Sequence, residues 1–515
     1  MIGGLVKLQG AYFRWLSIGV IFLLAIYMEA GAYMNWDTNW YLVSTGWWLG
    51  GVKLYSQIRE VNPPLMFYLI IPPVLIAKYF VLNKIMVMKA YTFGVALVSV
   101  IICSKIIKRA RALSDTQMNL ILLVISIGFV LIPVNSSVFS ERSHFMVMLS
   151  LPYIILGTSN ISERQDLSKG KRFFIGLFSA VGLAIKPYYL IIPVLITVVH
   201  CVKHKSFRPV LISQNIAILL FCVFYLLYSY TFHYAYFSEI IPKALLVYGA
   251  YKRSIFVLII DVLPFMPFFI VGVYVAFSDS KNHVNMFLVT LVMSCIAGFF
   301  IYFVQAKGWT YQQYPLRFYL WFFLGSVSIV LFNNWKDKKE RLLIILSITA
   351  MLAFVAPNMV KFTKEGPYTI TSAKALTRYF LCPVNHQSYQ AFSASVSLVF
   401  SLLNNTNAQA ANHTPALWLL PEAVDMLSKQ SITNFQRKQF ERILSASRNA
   451  NVADFLRVKP QVVFIDARIN KPYFHGVQFS YLDFFKEDKR FSELWKKYKY
   501  VGETMGVKVY RRKGC

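Results

Sequence analysis

The polar side chains of this chain that could do chemistry stand at the ends of long apolar runs. Asp37 directly follows the first run, in the segment Asn35 to Pro64, which reads NWDTNWYLVSTGWWLGGVKLYSQIREVNPP. Tyr41, Tyr55, Glu60 and Asn62 lie in the same segment. Glu141, Arg142 and His144 form a second polar stretch, and Tyr311 belongs to a third. Lys186, Lys252, Arg253, Lys307 and Arg317 sit at the ends of further runs. Such residues beside membrane segments need partners and usually mark function. A carboxylate there can take a proton from a hydroxyl, and the cations can hold a phosphate, arginine through two parallel bonds and lysine as a point charge. Each residue also has a bland reading. Asp37 would be a solvated aspartate among an aromatic belt of Trp36, Trp40, Trp47 and Trp48. Glu141 would only pair with Arg142, His144 would only hydrogen-bond a helix end, and the bases would touch headgroups or snorkel.

The elements that position these residues follow from composition. Of 515 residues, 57% are hydrophobic and only 15% charged, against about 25% charged in ordinary soluble proteins. Such a chain cannot cover the surface of several soluble domains, so it reads as a polytopic, α-helical membrane protein. The net charge of +30 would suggest nucleic acid in a soluble protein. Here the bases lie mostly in short loops and in the C-terminal region, which fits membrane orientation and lipid phosphate, with no nucleic-acid partner. The six cysteines include no CxxC pair; Cys382 and Cys515 could pair in an oxidising compartment. His200 and His204 have zinc-like spacing but no third ligand, so no metal site is expected.

A crossing helix needs about 20 apolar residues. Clear runs are Trp15–Met34, Met86–Ile107, Met118–Val134, His144–Gly157, Val210–Tyr230, Ile255–Phe277, Met286–Val304, Phe318–Phe332 and Leu342–Ala356. Two regions decide the topology. If Asn62–Phe80 crossed, the segment Lys105 to Arg111, with four bases, would lie outside, against the positive-inside rule. Pro72-Pro73 should also break a spanning helix. This stretch is therefore expected as an interfacial or re-entrant helix on the outer face. Phe173–Val202 is basic at both flanks, so two short helices meeting at Lys186-Pro187 are expected. The total is eleven crossings, with the N-terminus inside and the C-terminus outside. The cytoplasmic segments then hold 18 Lys and Arg against 11 in the outer loops, and 23 fall in residues 359–515; long exported domains are largely exempt from the rule.

Residues 1–358 are thus expected as the membrane domain, with an outer-face first loop at 35–85. Residues 359–515 are expected as a small periplasmic α/β domain. There, Pro415–Leu420, Gln461–Asp466 and Gly506–Arg511 read as strands, Leu403–Thr414 as a loop and Ser480–Tyr500 as helical. Asp466 reads as a solvated loop aspartate.

The order Asp37, Tyr41, Gly50-Gly51, Tyr55, Asn62-Pro63-Pro64 after the first span resembles the membrane glycosyltransferases of the GT-C class. Within it the chain is similar to the protein O-mannosyltransferases and the bacterial aminoarabinose transferases of lipid A. Phe139-Ser-Glu-Arg-Ser-His-Phe145 with Leu151-Pro-Tyr resembles an F-G-Q-R-E-H-L…L-P-Y motif of one bacterial branch. Arg142 and His144 match it, whereas Glu141 stands at its glutamine and Ser143 at its glutamate. Gln305 to Tyr311 resembles Q-x-K-G-W-x-Y, and Gly182 to Pro187 resembles G-L-A-x-K-P.

The resemblance implies transfer of a sugar from a polyprenyl-phosphate donor to a glycan, lipid or protein acceptor on the periplasmic face of a bacterial inner membrane. Asp37 would be the catalytic base, with Glu141 a second candidate, and Lys186, Lys252, Arg253 and Lys307 would bind the donor phosphate. A phosphate leaving group needs no strong general acid, so one carboxylate suffices and in-line attack inverts the anomeric centre. No cofactor is implied, and a divalent cation stays open. Two alternatives stand. An O-antigen ligase or polymerase would use a polyprenyl-diphosphate glycan but lacks the loop from Asp37 to Pro64. A lipid-linked sugar transporter or flippase would show repeated halves or midplane ionisable residues; only Glu29, Lys89 and Asp261 lie inside spans.

Overall fold

A computed structural model of the chain describes residues 2–110, 113–158, 167–278, 284–332, 338–380, 387–404 and 406–513. Cys382 and Cys515 lie outside the described residues. In chain order the helices are α1 (Ile2–Ala30), α2 (Trp36–Leu49), α3 (Leu65–Tyr79), α4 (Lys84–Ala110), α5 (Asp115–Val130), α6 (Arg142–Thr158), α7 (Lys169–Leu183) and α8 (Ile191–His204). There follow α9 (Ser213–Phe232), α10 (Ile241–Val247), α11 (Ile255–Val262), α12 (Met266–Ser278), α13 (Val284–Gln305), α14 (Thr310–Leu331) and α15 (Lys338–Glu365). The remainder holds α16 (Thr371–Thr377), β1 (Ser388–Phe392), α17 (Val396–Phe400), β2 (Gln409–Ala410), α18 (Leu420–Ser428), α19 (Asn434–Val458), β3 (Val462–Asp466), α20 (Tyr481–Lys486), α21 (Lys489–Trp495), β4 (Tyr498–Thr504) and β5 (Val507–Arg512).

Among the described residues eight helices are long and apolar enough to cross a membrane. They are Tyr12–Ala30, Lys84–Arg109, Pro187–His204, Ser213–Phe232, Ile255–Tyr274, Phe287–Gln305, Thr310–Leu331 and Arg341–Glu365. The other three of the expected eleven are α5, α6 and α7, of 16, 17 and 15 residues, short of the usual length of about 20. The break at Lys186-Pro187 is present: α7 ends at Leu183, and a 3₁₀ turn Pro187–Leu190 leads into α8. Pro72-Pro73, expected to break a helix of spanning length, lie inside a short one. α3 runs unbroken through both prolines, because Met66, Phe67, Ile70 and Val74 are buried around them and offset the missing backbone bonds. At 15 residues α3 is too short to cross unaided.

The chain forms two compact units. The first comprises residues 1–32, 86–227 and 253–368. α14 lies at its centre, packed against α5, α6, α12, α13 and α15. Glycine permits the closest approaches: a Cβ at Gly298 would lie 2.8 Å from the Cα of Leu316, and one at Gly182 would meet Leu149 at 2.7 Å. Asp261 accepts a hydrogen bond from the Tyr302 hydroxyl at 2.7 Å, so this intramembrane carboxylate is spent on a neighbouring helix. Glu29 and Lys89 form a buried ion pair at 3.4 Å. The ammonium also donates to the carbonyls of Glu29 at 2.6 Å and Ala32 at 2.5 Å, and the carboxylate accepts from the Asn135 amide at 2.8 Å.

The second unit comprises residues 33–85, 228–252 and 369–515. Its five-stranded sheet has the order β2-β1-β3-β5-β4. β1 is parallel to β2 and β3, whereas β5 is antiparallel to β3 and β4. A two-residue turn at Met505-Gly506 joins β4 to β5, with φ of 54° and 72°; such turns match the right-handed twist of the strands and favour glycine. Phe392, Phe455, Phe485, Phe491 and Trp495 build the core on the sheet. β3 and β5 are where the sequence predicts them. Residues 415–420 are not a strand: Leu420 opens α18 with Pro421 in its first turn, and the buried run before it is a turn in which the Leu417 amide donates to the Ser393 carbonyl. Asp466 is not solvated either. It is buried, paired with Arg468 at 2.6 Å, and accepts from Ser393 Oγ at 3.0 Å.

The first loop belongs to this unit through specific bonds. The Met34 amide donates to Asn404 Oδ1 at 2.7 Å, and Asn404 Nδ2 donates back to the Met34 carbonyl at 2.9 Å. Arg59 pairs with Asp454 at 2.6 Å, and the Arg59 amide donates to the His413 carbonyl.

Candidate functional site

In the first unit, three chain segments bring the expected cations around one tyrosine. The Arg142 guanidinium lies 5.6 Å from the centre of the Tyr311 ring, and the Lys186 ammonium lies 5.7 Å from it. Lys186 also contacts Gln305 Oε1 at 3.4 Å and the Tyr188 ring at 5.6 Å. Trp309 lies 5.7 Å from Tyr311, and Lys307 lies 4.7 Å over the Trp309 ring. Arg253 borders the same turn. Its amide donates to the Ala306 carbonyl at 2.7 Å, and a Cβ at Gly308 would lie 3.0 Å from Arg253 Cδ. Ala306 and Gly308 both have positive φ, 52° and 64°, so the chain turns sharply between α13 and α14 and Lys307 stands on the bend. Arg317, about two turns into α14, lies 6.0 Å from the Phe354 ring.

Glu141 and Arg142 are adjacent and paired at 3.3 Å, and the Arg142 amide also donates to Glu141. Both are buried. His144 accepts from the Ser140 amide at Nδ1 and donates from Nε2 to the Phe129 carbonyl at 2.8 Å. Both ring nitrogens thus hold backbone, so the imidazole braces the loop between α5 and α6. The same loop is fixed by Glu29 through Asn135, by Thr92 against Ser140 at 2.7 Å, and by Asn358 against the Ile132 carbonyl at 2.6 Å. These bonds set the start of α6, where Glu141 and Arg142 stand. His200 and His204 stack at 6.3 Å, and His200 is bound to the Gly157 carbonyl. Among the described residues no three His, Cys, Asp or Glu side chains gather where they could hold a metal ion.

In the second unit, Asp37 is half-buried in the first turn of α2, facing the positive end of the helix dipole. Asn35 caps this helix by accepting from the Thr38 amide at 2.7 Å, so Asp37 is not needed for that task. Glu60 is buried and collects donors from Trp40 Nε1, the amides of Val61 and Asn62, and Asn62 Nδ2. Four donors on one carboxylate make it a structural post of the loop. Tyr55 has φ of 70° and donates its hydroxyl to the Asn62 carbonyl at 2.8 Å. Tyr41 packs edge-on against Phe67 at 5.2 Å. Lys252 is exposed, just after the 3₁₀ turn Tyr248–Tyr251.

Sequence reasoning missed the group around Asp454. This carboxylate takes Arg59, Arg457 and the His413 amide, and the His413 ring lies 4.6 Å from that of Trp47. Arg457 donates to His413 Nε2 at 3.1 Å, which leaves the proton on Nδ1, 3.4 Å from Asp454. Burial, with Arg457 and Arg59 nearby, outweighs Asp454 and pushes the imidazole down to about 4. Its folded value lies below its unfolded one of 6.5, so the unfolded chain binds the extra proton. The stability this group contributes is complete above about pH 6.5 and is lost as pH falls toward 4. At 1.36 kcal/mol per unit, the loss is about 3 kcal/mol. A thermal midpoint that drops across this window in wild type, but much less in His413→Gln, is expected; equal slopes would remove His413 as the cause.

No family model matches the chain, and no curated protein matches it. Among solved structures the chain is similar to an oligosaccharyltransferase of Archaeoglobus fulgidus, at 11% identity and a TM-score of 0.43, over 96% of this chain and 73% of that one. It is similar also to the archaeal oligosaccharyltransferase AglB from Archaeoglobus fulgidus in complex with an inhibitory peptide and a dolichol-phosphate, at 10% identity and a TM-score of 0.45, over 98% and 74%.

Proposed function

We propose that the chain is a membrane glycosyltransferase that moves a sugar from a polyprenyl-phosphate donor to a hydroxyl of a glycan, lipid or protein acceptor, with Asp37 as the base. The observation that carries the reading is the gathering of Arg142, Lys186, Lys307 and Arg253 around Tyr311 and Trp309 at the ends of apolar helices. Cations so placed hold a lipid phosphate and absorb the charge it gains as the sugar departs. Asp37 takes the acceptor proton, and attack opposite the leaving phosphate inverts the anomeric carbon. The proposed setting is the periplasmic face of a bacterial inner membrane, with the C-terminal region on the same side. A reporter active only in the periplasm should be active when fused after Lys513; activity of a cytoplasmic reporter at that point would reverse the orientation.

Lys307→Ala and Arg253→Ala test the donor site. A charged hydrogen bond to phosphate is worth about 1.5–3 kcal/mol, so each variant should use the lipid-phosphate donor roughly 10- to 150-fold less well at limiting donor. Full activity in both would place the phosphate elsewhere.

A further inference from the structure

In the second unit the parallel strands β2, β1 and β3 all begin at one edge of the sheet, and the antiparallel β5 ends there. α19 stops at the same edge, where Lys459, with φ of 48°, closes the helix by donating its amide to the Phe455 carbonyl at 2.8 Å. Between these ends lies an open cavity of about 350 Å³, room for roughly ten waters at about 30 Å³ each. Its polar walls are Ser388, Gln409 and Gln461 from the strand starts, Arg457 and Lys459 from the end of α19, and Arg512 from the end of β5.

The lining selects charge first. Arg457, Lys459 and Arg512 are cations, and no carboxylate lines the cavity. Arg457 does reach Asp454 at 3.4 Å, but Arg59 already matches that carboxylate at 2.6 Å, so a surplus positive charge remains. Lys459 is exposed and makes no ion pair among the described residues. Beside Arg512, the Lys513 amide donates to the Lys497 carbonyl at 2.7 Å, which brings two more cations to this edge. The negative end of the α19 dipole would oppose an anion, but Arg512 Nη1 covers the Lys459 carbonyl at 2.8 Å. Hydrogen bonding points the same way. Gln461 commits its Oε1 to the Ser388 amide at 2.9 Å, which leaves Nε2 as its donor. The occupant therefore needs several acceptors and more than one negative charge. A neutral sugar lacks the charge, a hydrocarbon lacks both, and a carboxylate sets one charge against three cations. A phosphate monoester carries about −1.5 to −2 near pH 7 with three acceptor oxygens, which arginine grips through two bonds and lysine as a point charge.

We propose that this cavity binds a phosphate monoester. The proposal does not depend on the glycosyltransferase reading, because none of its residues is among the cations assigned to the donor. The experiment labels the full-length protein in detergent with an amine-reactive reagent and reads each lysine by mass spectrometry. Inorganic phosphate, glucose 6-phosphate, dihexanoylphosphatidic acid and acetate are compared at constant ionic strength, so that screening of exposed charges is the same in all. The three phosphates should slow labelling of Lys459 with a Kd of roughly millimolar, by about tenfold at ten times Kd, and leave the exposed Lys438 unchanged. Arg512→Gln should weaken the protection roughly 3- to 10-fold, with the thermal midpoint of the same sample reporting folding. Lys307→Ala should not change it, which separates this cavity from the cations around Tyr311. Protection by phosphatidic acid but not by glucose 6-phosphate would uphold the site and make its source a lipid; the reverse would uphold it for a soluble ester. No protection of Lys459 by any phosphate, equal protection by acetate, equal protection of Lys438, or wild-type protection in folded Arg512→Gln would each overturn the proposal.

Discussion

Asp37→Asn should abolish sugar transfer while the protein folds, inserts and still binds its lipid-phosphate donor. Asparagine keeps the size and much of the hydrogen bonding, but it cannot take a proton from the acceptor hydroxyl at neutral pH. General-base catalysis contributes about 10²–10⁴-fold, so the loss should be at least about 100-fold. Donor binding should hold, because the cations assigned to the phosphate are other residues. The competing view, that Asp37 only begins a helix, predicts near silence, since asparagine serves at a helix start about as well as aspartate. The α2 cap is already Asn35, which leaves the carboxylate of Asp37 without that duty. Turnover and donor binding measured on one purified variant separate the two views, and near-wild-type turnover would sink the catalytic assignment.

Glu29→Leu should be among the most destabilising single changes in the first unit. It leaves the Lys89 ammonium, 5% exposed, with only backbone carbonyls, and breaking a buried pair from one side costs about 3–5 kcal/mol. It also frees the Asn135 amide, one of the bonds that fix the loop before Glu141 and Arg142. Replacing both partners, as Glu29→Leu with Lys89→Met, should recover most of the loss, because the uncompensated charge is gone. The thermal midpoint in detergent reads both. A single variant as stable as wild type would mean that the ammonium finds water, and a double variant no better than the single would put the cost in the loop.

Much of the membrane part is legible in the sequence because apolar length is a direct physical requirement of crossing. The break at Lys186-Pro187 is legible because the basic flanks of Phe173–Val202 require an even number of crossings, and the residue before a proline favours extended backbone, as Lys186 adopts. β3 and β5 are legible as apolar or alternating runs. β1, Ser388–Phe392, is not, because its polar residues hide a buried strand, and β2 is only two residues long. Residues 415–420 mislead because a short buried apolar run does not declare its conformation. At the candidate site, the pairing of Glu141 with Arg142 follows from adjacency. The meeting of Lys186 with Gln305 spans 119 residues, and spacing alone could not supply it. His144 matched a motif, yet its ring is taken up by two backbone groups. The Arg59–Asp454 pair joins residues 395 apart and has no local signature.

That last separation has a consequence for biogenesis. Met34 and Asn404, which bond to each other in the second unit, are 370 residues apart. At about 5–20 residues per second, a ribosome needs roughly 20–70 s to make the intervening chain. During that interval the first loop, with Asp37 and the tryptophans of α2, has been synthesised but lacks its docking partner. A nascent chain stalled or truncated before residue 387 would carry all eight of the described helices long enough to cross a membrane and still present an unfinished second unit, open to chaperones and proteases. Quality control could therefore read completion of translation from whether this one loop has been covered.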